Sequence, residues 1–198
     1  MDSLVTHLCD ANNISREDLK VHVLWNSEIN AFALPDGHLV IYTGLIHNAE
    51  NQEELAGVIG HEMAHIELNH VMKKLGKEIG LSALIAMTTG NVGTEVIRET
   101  ARTISSTAFD RSFEKEADIK AVDYLLKANI DPEPFGKFLH RLSDSESELS
   151  KYLTWISTHP ESKERAKYVR KYRQGKGINF KSVLSAETWK AIKEGVGS

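Results

Sequence analysis

His61-Glu62-Met63-Ala64-His65 is the stretch on which the reading of this chain turns. On a helix, residues four apart stand one turn above each other on one face. His61 and His65 therefore offer two ring nitrogens to one point, where a single cation can be held. Glu62 is turned by about 100° from His61, which makes it a poor third ligand but places it to face a water on the same cation. His-Glu-x-x-His on a helix is the spacing of zinc peptidases, in which that glutamate is the general base.

The flanking residues predict one long helix. Asn51 and Glu54 form a capping-box-like start, and the pattern runs to about Leu75, before Gly76. Leu55, Ile59, Met63 and Ile66 make one apolar stripe, and Leu68, Met72 and Leu75 another. A helix that is apolar on two sides is buried between other elements, so His61 and His65 face the interior or a cleft floor.

Upstream, a short helix is expected over residues 2–12, then strands at Leu19–Trp25, Ile29–Leu34 and His38–Thr43. Pro35-Asp36-Gly37 is a turn, because Pro presets φ and Gly permits positive φ. Short connections predict a small antiparallel sheet. Downstream, helices are expected over residues 77–89, 94–127, 132–142, 146–157, 160–173 and 186–194, with Asp131-Pro132 and His159-Pro160 as helix starts. A small sheet followed by many helices is an α+β fold. The expected organisation is a single domain over 1–198, with a core at about 20–173 and a helical extension at 174–198.

Composition narrows the function classes. The chain has 198 residues, 41% apolar and 26% charged, with a net charge of −4, which suits a globular domain. Nucleic acid is not an expected partner, since phosphates demand clustered Lys and Arg. The basic run from Lys163 to Lys176 reads as a solvated helix face. Cys9 is the only cysteine, which leaves no disulfide and no multi-cysteine zinc site. The start MDSLVTHLCD lacks a signal-peptide pattern, and the longest apolar stretch, Ile79–Met87, falls short of the ~20 residues that span a bilayer. No transmembrane segment is expected in this chain. Membrane association through an anchor upstream of a domain cut from a longer protein is compatible with that.

Two histidines are not a catalytic zinc site, which needs three protein ligands. A third histidine six residues after the second is excluded, because Val71 stands there and Leu68 replaces the required glycine. On a continuous helix His70 is about 140° round from His65 and reads as structural. The remaining option is a glutamate from a second helix. Glu114 and Asp118 share a face, one suited to bind a metal and the other to orient a ligand histidine. Glu116 points elsewhere and reads as a surface residue, though spacing alone only partly separates it from Glu114.

HEMAH together with FEKEAD (113–118), NAFALPDGH (30–38) and THP (158–160) resembles the zinc metallopeptidases that include HtpX, the CAAX prenyl endopeptidases and the soluble BepA/LoiP-like proteases. The likeness covers residues 20–173, and the absence of spans favours the soluble branch. The resemblance implies a mostly helical, zincin-like (gluzincin) domain holding one Zn2+ per chain through His61, His65 and Glu114. It also implies Glu62 as general base, Asp118 as the carboxylate behind a ligand, Asn30 near the substrate, and His159 either stabilising the transition state or closing over the zinc. The implied partners are protein or peptide substrates, and the implied setting is the bacterial periplasm or a membrane-associated one. Asp110 stands where the soluble branch often has Ser, and Asp36 where the family often has Gly; neither is a proposed ligand.

Strand His38–Thr43 is expected to offer an exposed edge to an extended peptide, which suits unfolded or damaged proteins. A non-enzymatic alternative, a zinc-containing chaperone or adaptor, leaves Glu62 without a purpose. A latent protease is a third option, with residues 143–157 as a lid leading into His159.

Overall fold

The computed structural model describes residues 1–78, 102–104, 106–144, 155–160, 162–175 and 179–196. Most of the expected helix over 77–89, most of that over 146–157 and the first part of that over 94–127 lie outside them, as does most of the lid segment. In chain order the elements are α1 (Asp2–Ala11), a 3-10 turn (Arg16–Asp18), β1 (Lys20–Leu24), β2 (Ala31–Leu34), β3 (His38–Tyr42), α2 (Thr43–Asn48), α3 (Gln52–Glu67) and α4 (His70–Glu78). They continue with α5 (Arg111–Lys127), α6 (Glu133–Asp144), α7 (Ser162–Arg173) and α8 (Ala186–Val196). This is the α+β pattern read from the sequence.

Helix α3 is the axis of the fold. Asn51 caps it by accepting from the Glu54 N–H at 2.9 Å, and the Glu54 carboxylate accepts from the Glu50 N–H at 2.9 Å. Arg141 of α6 then clamps Glu54 with two bonds of 2.8 Å. Thirteen residues of α3, from Gln52 to His65, are buried between α5, α6, α1 and the sheet; of the two expected apolar stripes, Leu55, Ile59, Met63 and Ile66 lie on this helix, whereas Leu68, Met72 and Leu75 fall beyond its end. Close approach on the α6 side depends on Gly57, where a Cβ would stand 2.4 Å from Phe135.

Two expectations fail here. First, α3 does not run on to Leu75. It ends at Glu67, Asn69 takes a left-handed φ of 55°, and α4 begins at His70. Asparagine tolerates that conformation because its short polar side chain offsets part of the steric cost. Second, the sheet is mixed, with strand order β1-β3-β2. β2 and β3 pair antiparallel around the Pro35–Gly37 turn, where Asp36 and Gly37 both have positive φ. β1 pairs with β3 in parallel. The connection from Trp25 to Asn30 carries no tight-turn signal, so β1 and β2 do not form a hairpin, and β3 becomes the central strand. β3 is therefore not the expected exposed edge, and among the described residues the edge strands are β1 and β2.

Candidate metal centre and its surroundings

Helix α3 projects His61 and His65 inward as their spacing predicts. Their Nε2 atoms stand 3.0 Å apart. Helix α5 crosses α3 and brings Glu114 to the same point, with Oε1 at 3.3 Å from His65 Nε2 and Oε2 at 3.6 Å from His61 Nε2. His159 arrives from the segment before α7, its Nδ1 lying 3.3 Å from His61 Nε2 and 3.1 Å from Glu114 Oε1. One ligand atom from each of these four residues falls within 4.8 Å of the others, and all four residues are buried.

That spacing fits a zinc ion. Zinc bonds of about 2.0–2.1 Å in a tetrahedron put neighbouring ligand atoms about 3.3–3.4 Å apart. The charge fits too. Glu62, Glu114 and Asp118 are all buried, and among the described residues the guanidinium of Arg165 is the only fixed cation that bonds any of them. With His61 neutral, as a metal ligand must be, these groups balance to two negative charges, the complement of a divalent cation.

Glu62, 0% exposed, does not join the cluster. Its Oε2 accepts from the backbone N–H of Ala33 at 3.0 Å, which ties the carboxylate to the outer edge of β2. Its Oε1 lies 3.3 Å from His159 Nε2, but the two are misaligned and neither has a hydrogen-bond partner among the described residues. Burial pushes the Glu62 carboxyl up from its ordinary pKa, against the pull of His159 and His61. A carboxylate moved toward neutrality is suited to passing a proton in both directions.

Asp118 stands behind His61, its Oδ1 3.0 Å from Nδ1. A proton on Nδ1 leaves Nε2 as the lone pair facing the cluster. Arg165, on α7, is the residue that sequence reasoning missed. It grips Asp118 with two bonds of 2.8 Å, touches Glu114 Oε2 at 2.6 Å, and donates to the His159 carbonyl at 3.2 Å. It is 2% exposed, so the run beginning at Lys163 is not wholly a solvated face. The clue was a balance: three carboxylates gathered in an interior need a cation, and α7 supplies one.

The charges set the protonation states. Burial raises Glu114, but Arg165, His159 and His61 outweigh it and hold the carboxyl well below the usual range. Asp118 is lowered in the same way by Arg165 and His61 against burial. Burial and Arg165 push His61 down, yet Glu114 and Asp118 carry it up to about 9. Burial holds His65 well below its ordinary value despite Glu114.

His159 does not open α7. Its backbone N–H closes the helical turn 155–158 by donating to Trp155 O at 2.8 Å, and α7 begins at Ser162. Its ring packs against Trp155 with centroids 4.6 Å apart, and the Phe109 N–H donates to Thr158 O at 3.0 Å. Asn30 precedes β2, is 1% exposed, and neither atom of its amide has a hydrogen-bond partner among the described residues. A cleft of about 240 Å³ lined by Arg111, Glu114, Pro160, Arg165 and Tyr168 leads toward the cluster. No described helix is long and apolar enough to cross a membrane.

Known proteins resemble this chain over most of its length. A profile of peptidase family M48 matches residues 1–173. The metalloprotease LoiP of Escherichia coli is 29% identical, aligning 84% of this chain with 68% of its own. The mitochondrial metalloendopeptidase OMA1 of Bos taurus is 28% identical over 84% of this chain and 35% of its own. The beta-barrel assembly-enhancing protease of Yersinia pestis is 27% identical over 77% of this chain and 34% of its own. The chain thus spans about a third of two of these relatives and about two thirds of the other.

Proposed function

Since the chain belongs to peptidase family M48, we propose that it is a zinc endopeptidase for unfolded or misassembled proteins, with one zinc held by His61, His65 and Glu114 and with Glu62 as general base. The carrying observation is the convergence of His61 Nε2, His65 Nε2 and the Glu114 carboxylate beside an uncommitted Glu62 Oε1. Bound zinc supplies Lewis acidity, which makes water nucleophilic near neutral pH and polarises the peptide carbonyl. Glu62 Oε1 takes the proton from the attacking water and delivers it to the departing amine, while Oε2 stays on the Ala33 N–H. Asp118 and Arg165 keep the His61 lone pair and the Glu114 charge directed inward. The outer edge of β2 receives an extended peptide through backbone hydrogen bonds, which accept many sequences. The buried amide of Asn30, without a partner of its own, is available to that peptide.

His159 closes the site. Its Nδ1 stands with the ligand atoms, in the place a substrate oxygen needs, so this form is self-inhibited and opens when the 155–160 segment moves. Hydrolysis of an unfolded protein by zinc-loaded wild type and Glu62→Gln tests the enzyme reading: the variant binds zinc and cuts nothing. Equal rates would remove the enzyme reading. His159→Ala raises turnover; a sharp fall would instead make His159 a stabiliser of the transition state.

A further inference from the structure

His70 and Glu116 are outside this scheme, yet they touch it. The left-handed turn at Asn69 swings His70 back beneath His65, so that their Nδ1 atoms lie 3.2 Å apart. On its other side, His70 Nε2 lies 3.3 Å from Glu116 Oε2. We propose that Glu116 and His70 form a relay that sets the tautomer of His65, making both of them positioning residues for the metal.

The hydrogen-bonding inventory forces each step. A carboxylate only accepts, so the His70 proton belongs on Nε2, facing Glu116. His70 Nδ1 is then a lone pair. It can face His65 Nδ1 only if that atom carries a hydrogen, and a neutral imidazole so protonated has its lone pair on Nε2. His65 Nε2 is the atom that faces the metal position, 3.3 Å from Glu114 Oε1. With the opposite tautomer of His70, a lone pair would face the carboxylate; with that of His65, two lone pairs would meet, and Nε2 would carry a hydrogen.

Packing prevents either ring from turning away. His70 is 0% exposed and stacks on Phe113, with centroids 4.3 Å apart and planes 8° from parallel. His65 packs against Phe109 with centroids 4.0 Å apart. Asp118 does the same for His61 in one step. The two arms differ in where they end: Asp118 is fully buried, whereas the Glu116 side chain is 55% exposed. The hold of His65 on the metal is therefore the one that surface chemistry can reach.

The inference rests on the zinc-site reading, and the test separates the two. Zinc affinity of the full chain is measured by competition with a chromophoric chelator, alongside the melting midpoint of each metal-free variant as a check on folding. Removing such partners costs about 10–100-fold in affinity. His70→Phe, which keeps a stacked ring without an acceptor, should weaken zinc binding by about 10-fold or more. His70→Gln, whose side-chain carbonyl can accept from His65, should recover most of it. Glu116→Ala, at an exposed position that does not threaten the fold, should weaken binding a few-fold alone and not at all in the His70→Phe background. Wild-type affinity in His70→Phe overturns the relay. So does an undiminished effect of Glu116→Ala in that background. If wild type bound no zinc, the metal-site reading would fall first, and the relay with it.

Discussion

Replacing Arg165 by methionine keeps an unbranched apolar stem and deletes the guanidinium with its charge. The guanidinium makes two 2.8 Å bonds to Asp118 and one 2.6 Å contact to Glu114. All three side chains are at most 2% exposed. Removing one partner of a buried ion pair costs about 3–5 kcal/mol, because the other charge stays buried. His61, held protonated between the same two carboxylates, offsets part of this, so about 3 kcal/mol is expected for metal-free protein. In a chain of this size each kcal/mol is worth about 2–4 °C, which gives a fall of about 6–12 °C in the midpoint. A divalent cation replaces the missing charge, so the fall should be roughly half as large in zinc-saturated protein. Arg165→Lys should recover only part, since a point charge cannot bridge two carboxylates. Thermal melts in chelator and in zinc measure all of this. An unchanged metal-free midpoint refutes the reasoning. An equal fall with and without zinc would assign the effect to the packing of Arg165 on Trp155, 4.9 Å from its ring centroid, rather than to charge.

Other outcomes follow from the same geometry. With His61 carried up to about 9 in the metal-free protein, zinc binding at about pH 7.5 should expel about one proton; calorimetry in buffers of different ionisation enthalpy reads it, and a value of zero contradicts the site. His61 is raised on folding, so its stabilisation of metal-free protein is present below its unfolded pKa of about 6.5 and is lost as pH rises toward 9. Lys74, lowered to about 8 mainly by burial, acts with the opposite sign above that pH. Urea midpoints of metal-free protein should therefore fall from about pH 6.5 to 8 and then level off; a rise across that first interval would be wrong for this site. Gly57→Ala would place its Cβ 2.4 Å from Phe135, and overpacking of about 1–3 kcal/mol exceeds the helix-propensity gain of about 1 kcal/mol. A more stable variant would mean that α3 and α6 are not so close.

What was legible in the sequence is what local spacing encodes. His61 and His65 come together because four residues are one helical turn, and Glu114 and Asp118 reach α3 together for the same reason. The order of sheet then helices, the Asn51 cap and the Pro35–Gly37 turn are equally local. The parallel pairing of β1 with β3 is not, because a strand's partner is chosen by the packing of the sheet. Arg165 escaped because a buried ion pair across α5 and α7 has no sequence period, and a lysine-rich neighbourhood disguised it. His70 was set aside by an argument that holds for an unbroken helix. One left-handed residue at Asn69 changes the direction of the chain and brings His70 against His65.

The hydrogen bond from the Ala33 N–H to Glu62 has a genetic consequence. The partner of the proposed base is a main-chain atom, which ordinary side-chain replacement cannot delete. Ala33 is fully buried, so position 33 should accept residues small enough for the space and reject proline, whose nitrogen has no hydrogen to give. A backbone ester at that peptide unit, made by semisynthesis, would delete the donor and keep every side chain. A mutational scan would then record position 33 as a packing site, and the part it plays in holding the base would stay invisible to every substitution but one.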